Sequence, residues 1–220
     1  MLLNTEIYTY VYIAIVSYLI GAIPYGLIIC YISRGIDIRK HGSGSTGATN
    51  ILRTLGWPLA IIVSILDVSK TIIAILIASL FTGGDPLIKA IAAMFVILGH
   101  IWPIYTVLVP GTKFRGGKGI LTGVVGLIIL SPVTGITAFI SAVLTIAVFK
   151  IVSLGSIVGM AAALTSILFL YRIGQEQNIE YVIFAIIGSI IIIFKHTSNI
   201  KRLINKTEPK IGNRARKSKT

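Results

Sequence analysis

Long apolar runs, separated by short basic or glycine-rich interruptions, dominate the 220-residue chain. Runs near Ile7 to Tyr31, Trp57 to Phe81 and Leu87 to Val109 each reach the roughly 20 residues a helix needs to cross about 30 Å of hydrocarbon. The stretch Ile120 to Phe149 is interrupted by Ser131-Pro132-Val133-Thr134-Gly135 and predicts two short helices. Ser156 to Tyr171 and Tyr181 to Phe194 follow. The pattern predicts an all-α membrane protein of about seven transmembrane helices. The last four are short, and apolar runs of about 14 to 16 residues also suit re-entrant or buried segments, so six or eight spans stay open.

Composition sharpens this picture. With 55% hydrophobic and 12% charged residues and a mean hydropathy of +0.93, the chain is too apolar for a soluble domain. Its net charge of +13 interrupts apolar runs rather than covering one soluble face, which argues against nucleic acid and for lipid headgroups or phosphorylated substrates. Positive charge stays cytoplasmic in short loops. An outside N-terminus puts Arg34, Arg39, Lys40, Arg53, Lys113, Arg115, Lys118, Lys150 and nine more from Lys195 to Lys219 inside, leaving Lys89 and Arg172 outside. The expected topology is N-terminus outside, C-terminus cytoplasmic, in a multi-pass protein of the cell membrane. The first apolar run has no preceding Lys or Arg and no small-residue cleavage site, so it is expected to remain as a helix rather than a signal peptide. Residues 1–211 read as one transmembrane domain and 212–220 as a basic, disordered tail attracted to anionic lipid. Cys30 is the one cysteine, so no intrachain disulfide is possible.

Three basic loops carry candidate chemistry. In His41-Gly42-Ser43-Gly44-Ser45-Thr46-Gly47-Ala48-Thr49-Asn50-Ile51-Leu52-Arg53, glycines let backbone N–H groups converge on an anion, hydroxyls add donors and Arg53 adds bidentate charge. Ser43, Ser45, Thr49, Asn50 and Arg53 are its candidates; the competing reading is a flexible linker. In Phe114-Arg115-Gly116-Gly117-Lys118-Gly119, the glycines Gly116, Gly117 and Gly119 flank a lysine whose ammonium can meet a phosphate beside backbone donors. This is not a P-loop, because the spacing and the final hydroxyl are missing. In Lys195 to Leu203, His196 and Asn199 share a face if the helix continues.

Asp67 and Lys70, inside a span and three apart, can pair with each other as a brace or mark a functional site. His100 and Trp102 are supporting candidates near the inner surface, Trp102 also suiting an interface anchor. No Cys/His cluster is present and the seven acidic residues are scattered, so metal-free chemistry without a cofactor is expected. Gly42-Ser43-Gly44 is only a loose nucleophile elbow, with no accompanying Ser-His-Asp set.

Together these loops resemble the acyl-phosphate-dependent glycerol-3-phosphate acyltransferases of bacterial membranes, over nearly the whole chain. The resemblance rests on Gly-Ser-Gly-Ser-Thr-Gly-Ala-Thr-Asn-x-x-Arg at 42 to 53, Asp67-x-x-Lys70, Gly99-His100-x-x-Pro103 and Phe114 to Gly119. Ser153-Leu154-x-Ser156 and His196-x-x-Asn199-Ile200-x-Arg202-Leu203 with Thr207-Glu208-Pro209-Lys210 complete the set, in order. The chain departs where the family often has serine at Gly155, glycine at Thr71, arginine at Thr197 and a shorter connection than Val107 to Lys113. The Gly155 departure puts a substrate-facing hydroxyl in doubt, so Ser156 alone is carried over.

The resemblance implies transfer of an acyl group from acyl phosphate to the 1-hydroxyl of glycerol 3-phosphate, giving lysophosphatidic acid and phosphate, with a functional link to an acyl-phosphate-forming enzyme. Lys118, Arg53, His196 and Asn199 are the implied catalytic residues. Arg53 and Lys118 would hold phosphate, and His196 and Asn199 would orient the acceptor. Acyl phosphate brings a good leaving group, so positioning and charge stabilisation suffice without a protein nucleophile. The proton of the attacking hydroxyl passes to His196 or to the donor phosphate; the absence of an acid to tune His196 favours the phosphate. An anion transporter would need charges in several spans and inverted repeats, and a lipid phosphate phosphatase a histidine with a carboxylate; neither pattern is visible.

Overall fold

A computed structural model describes residues 2–107 and 115–212, the side chains of residues 2–6 excepted. Val109, Lys113, Phe114 and the tail from residue 213 lie outside the described residues. The described chain is helical, in the order α1 Leu2–Ala22, α2 Tyr25–Arg34, α3 Ala48–Leu55, α4 Trp57–Thr82, α5 Pro86–Ile101, α6 Ile120–Leu130, α7 Pro132–Phe149, α8 Val152–Arg172, α9 Ile179–Phe194 and α10 Thr197–Ile204.

The breaks follow local chemistry. Pro24, which lacks an amide hydrogen, separates α1 from α2 within an apolar stretch expected to be one helix. Between α6 and α7 the expected five-residue interruption shrinks to Ser131 alone, because Pro132 is well suited to the first turn of α7. Gly83 takes the left-handed conformation that ends α4, and Asp85 accepts the Ile88 amide to cap α5 at 3.0 Å. The third apolar run stops being α-helical at Ile101, and α8 starts at Val152, one turn earlier than expected. Helix α9 ends at Phe194 and bends by 58° into α10, so His196 stands at a break rather than within a continuous helix.

Among the described residues, five segments are long and apolar enough to cross a membrane, or six if α9 and α10 are counted as one bent span. The apolar α6, with 11 residues, rises only about 16 Å. Large side chains such as Ile65, Leu80, Leu144 and Val148 face outward, as lipid contact requires. Small residues bring backbones together inside: a Cβ on Gly21 would overlap the Val96 carbonyl, and one on Gly99 the Tyr18 carbonyl, fixing α1 against α5. Gly155 and Gly159 do the same for α8 against α7.

The connections at one end of the bundle meet. The Thr46 amide donates to Gly116 O at 3.4 Å, the Ile211 amide to Lys150 O at 2.7 Å, and Arg53 pairs with Glu208 at 3.3 Å. These are the loops that carry the basic motifs, and together they roof a cavity.

Candidate active site

The cavity has a volume of about 380 Å³ and two characters. Ala60, Ile61, Val124, Phe139, Val143 and Ile146, from α4, α6 and α7, form an apolar trough; Ser43, Ser45, Thr49, Arg53, Lys118, Ser153, His196 and Asn199 line the polar part. Four helices begin at this part, since Ala48 and Thr49 of α3, Gly119 and Ile120 before and in α6, Val152 and Ser153 of α8, and His196 at the start of α10 all line it. None of these four starts carries a side-chain cap. Amides of a helix's first turn lack the usual acceptor one turn back, although the Asn50 amide of α3 finds Gly47 O at 3.0 Å, and the positive ends of the helix dipoles add to the field, so the arrangement favours an anion.

A single buried carboxylate organises the cations. Glu208 Oε1 accepts from Asn199 Nδ2 at 2.8 Å, Ser153 Oγ at 2.9 Å and Arg53 at 3.3 Å, while Oε2 accepts from Arg202 Nε at 2.7 Å. Burial works to raise the Glu208 carboxyl, but these hydrogen bonds more than offset it and hold the group below its ordinary value. Lys118 donates to Asn199 Oδ1, so lysine, asparagine and glutamate form a chain from the loop before α6 through α10 to the segment after it. Burial brings the Lys118 ammonium down to about 8; Glu208 acts against this, and Arg202, Arg53 and Lys195 reinforce it. Arg53 also reaches Pro209 O at 3.2 Å, and its buried Nε has no hydrogen-bond partner among the described residues. A buried guanidinium N–H left without an acceptor in a cation-rich cavity suits an incoming anion.

His196 is placed by a backbone carbonyl. Its Nδ1 donates to Ile192 O at 2.8 Å, which leaves Nε2 as the acceptor of the neutral ring. Burial lowers this ring to about 4; the Ile192 hydrogen bond raises it, Lys118 lowers it and Glu208 raises it. A neutral imidazole of that strength accepts a hydrogen bond from a hydroxyl readily but holds a full proton poorly at neutral pH.

A family model for glycerol-3-phosphate acyltransferase matches residues 11–206. The chain belongs to that family. It is 42% identical over 204 residues to the glycerol-3-phosphate acyltransferase of Desulforamulus reducens, covering 93% of this chain and 96% of that one. It is 39% identical over 209 residues to that of Synechococcus elongatus, covering 92% and 94%. Among solved structures it is similar to the integral membrane glycerol 3-phosphate acyltransferase PlsY in its glycerol 3-phosphate form, with a TM-score of 0.80 and 32% identity over 92% of this chain and 96% of that one. The lysophosphatidic acid form of PlsY matches at a TM-score of 0.78 and 31% identity, over 92% and 95%.

Within this member of the family, Ser43, Ser45, Thr49, Asn50, Arg53, Lys118, Gly119, Ser156, His196 and Asn199 all line the cavity. Their contacts differ from the sequence expectation in four ways. The first loop is not an open nest: Asn50 donates to His41 O at 3.0 Å and Ser45 O at 2.8 Å and accepts from the Ser43 amide at 2.9 Å, so its side chain holds the loop rather than a ligand. Ser45 is likewise tied to Gly116 O at 3.2 Å and to the Gly47 amide at 3.2 Å. Gly116 and Gly117 lie behind the cavity, where the Gly117 amide donates to His100 O at 3.1 Å, so that amide is not free for phosphate. Gly155 faces α7, where a Cβ would overlap Ile146, so its departure from the family pattern removes no hydroxyl from the cavity.

Glu208 was visible in the sequence only as part of a motif. Its partners stand 155, 55, 9 and 6 residues away, and no periodicity signals such a hub. The hint available was a Thr-Glu-Pro turn beyond the last helix in a chain with few carboxylates. The Asp67–Lys70 pair forms as its spacing indicates, at 2.8 Å.

Proposed function

We propose that this protein transfers an acyl group from acyl phosphate to the 1-hydroxyl of glycerol 3-phosphate at the cytoplasmic end of a bundle of about seven membrane-spanning helices, N-terminus outside, in the cell membrane. Membership of the family supports glycerol 3-phosphate as acceptor. The observation that carries the site is the buried, unpartnered Arg53 Nε beside Lys118, at a cavity where four uncapped helix starts meet. Both substrates carry phosphate, which matches the excess of Arg53, Lys118, Arg202 and Lys195 over Glu208 around this space. The apolar trough between α4, α6 and α7 takes the acyl chain, so the reacting carbonyl meets the water-soluble acceptor at the boundary of the two linings.

In the reaction the acceptor hydroxyl oxygen forms a bond to the acyl carbon, the bond from that carbon to the bridging phosphate oxygen breaks, and phosphate leaves. Lys118 and Arg53 hold phosphate charge, Ser43, Thr49 and Ser156 add hydroxyls, and Asn199 sets the Lys118 ammonium. His196 Nε2 accepts the hydrogen bond of the attacking hydroxyl and orients it. The proton goes to the departing phosphate, because a ring lowered to about 4 is a weak final acceptor. Supply of the donor falls to a separate acyl-phosphate-forming enzyme.

The test is phosphate release by the purified protein given acyl phosphate, with and without glycerol 3-phosphate. Acceptor-dependent release with one lysophosphatidic acid per phosphate is the expected result; release that ignores the acceptor, from folded protein, overturns the reading. His196→Ala is expected to keep measurable turnover, about 10- to 100-fold below wild type. A loss beyond about 10⁴-fold assigns the base to His196.

A further inference from the structure

Asp67 is a carboxylate almost fully buried in the middle of α4, where an ionised side chain is costly unless it is compensated and useful. Lys70, one turn on, compensates it at 2.8 Å and stacks its ammonium 4.7 Å from the centre of the Tyr25 ring. The pair does not end there. Asp67 Oδ1 also lies 3.6 Å from His100 Nδ1, on α5, and both Asp67 and His100 line the cavity.

His100 is the bed of the second basic loop. Its carbonyl accepts the Gly117 amide at 3.1 Å, and a Cβ on Gly116 would overlap that same carbonyl. A Cβ on Gly117 would overlap His100 Nε2, so the ring lies directly against the backbone of the residue that precedes Lys118. One edge of the imidazole thus faces a fixed charge and the other a glycine. The ring cannot tilt without moving either Asp67 or the Gly116-Gly117 backbone. Lys118 in turn spans to Asn199 across the cavity, so the height of that backbone sets where the ammonium arrives.

From this chain of contacts we infer that Asp67 and His100 are positioning residues for Lys118: the carboxylate fixes the imidazole, the imidazole fixes the Gly116-Gly117 backbone, and that backbone aims the ammonium at the phosphate of glycerol 3-phosphate. The inference rests on the proposed function for the identity of that ligand. It explains why an ion pair complete in itself stands next to a histidine under the loop, and why the two residues before Lys118 are glycines.

The test is titration of glycerol 3-phosphate into purified protein, beside steady-state kinetics, for His100→Ala, His100→Gln and Asp67→Asn. His100→Ala is expected to weaken binding and raise KM about tenfold with kcat within about threefold, and Asp67→Asn to move KM about threefold in the same direction. In a Lys118→Ala background the His100→Ala change is expected to add less than a twofold loss of binding, because residues acting through one group do not add. His100→Gln keeps bulk beneath Gly117 and serves if the alanine variant does not fold. An unchanged KM in the folded His100 variants, or a full tenfold loss persisting without Lys118, overturns the inference. Wild-type protein that binds glycerol 3-phosphate but transfers no acyl group strikes the functional reading alone, leaving the binding comparison to decide this one.

Discussion

Two buried carboxylates hold this molecule together in opposite ways. Asp67 lies within α4 and takes its main partner from its own helix, Lys70 at three residues' distance. Glu208 lies in the chain that follows α10 and takes partners from α3, α8 and α10 at once. The first pair closes within one helix turn and then reaches a single neighbour, His100 of α5, at 3.6 Å. The second exists only when four segments have already come together, and it then holds the cations of the cavity at fixed positions. The positions of Arg53, Asn199 and Arg202 around the cavity therefore depend on a residue that follows the last helix.

The largest effect that separates the two regions is expected from Glu208→Ala. It leaves Arg53, Arg202 and Asn199 without their shared acceptor, and breaking a buried pair this way costs about 3 kcal/mol. Acyl transfer is expected to fall about 100-fold or more, with Glu208→Gln intermediate, read by product formation beside thermal unfolding in detergent. Activity near wild type in Glu208→Ala would erase the distinction between hub and brace.

Asp67→Ala is expected to cost stability on a similar scale, about 3 kcal/mol, because Lys70 stays buried without its partner. Removing both, Asp67→Ala with Lys70→Ala, is expected to recover most of the melting temperature but not the KM for glycerol 3-phosphate. Recovery of both would make Asp67 a brace and nothing more.

A smaller effect appears with pH. Lys118, at about 8, is charged below that value and neutral above it, so phosphate binding by the free protein is lost as pH rises. The value of kcat/KM is expected to fall above pH 8, whereas in Lys118→Arg, whose charge persists, the fall is expected to disappear at lower overall activity. His196, at about 4, stays neutral throughout this range and contributes no limb. The smallest effect is expected from Gly155→Ser, which forces a side chain between α7 and α8: a destabilisation of about 1–3 kcal/mol with KM unchanged, measured by thermal unfolding and kinetics.

Most of the helices were legible because lipid imposes long apolar runs, and Trp57 to Phe81 agrees with α4 to within a residue. The break at Pro24 was not, since it does not interrupt the hydrophobic pattern; the apolar run ends at Phe194 as α9 does, but nothing in it signals the 58° bend into α10. The cavity residues were legible as residue types and motifs: Arg53, Lys118, His196 and Asn199 converge as expected. Their contacts were not, because they depend on tertiary approach. Asn50 looks like a ligand in a hydroxyl-rich loop and is in fact its internal tie, while Gly116 and Gly117 before Lys118 serve close packing on His100.

A structure of this protein with glycerol 3-phosphate bound decides whether the cation-rich cavity under the basic loops receives the acceptor phosphate. The phosphate is predicted within hydrogen-bond distance of both Arg53 Nε and Lys118 Nζ, with the acceptor hydroxyl toward His196 Nε2. Phosphate bound elsewhere on the basic face, with Arg53 Nε still unpartnered, would contradict this placement.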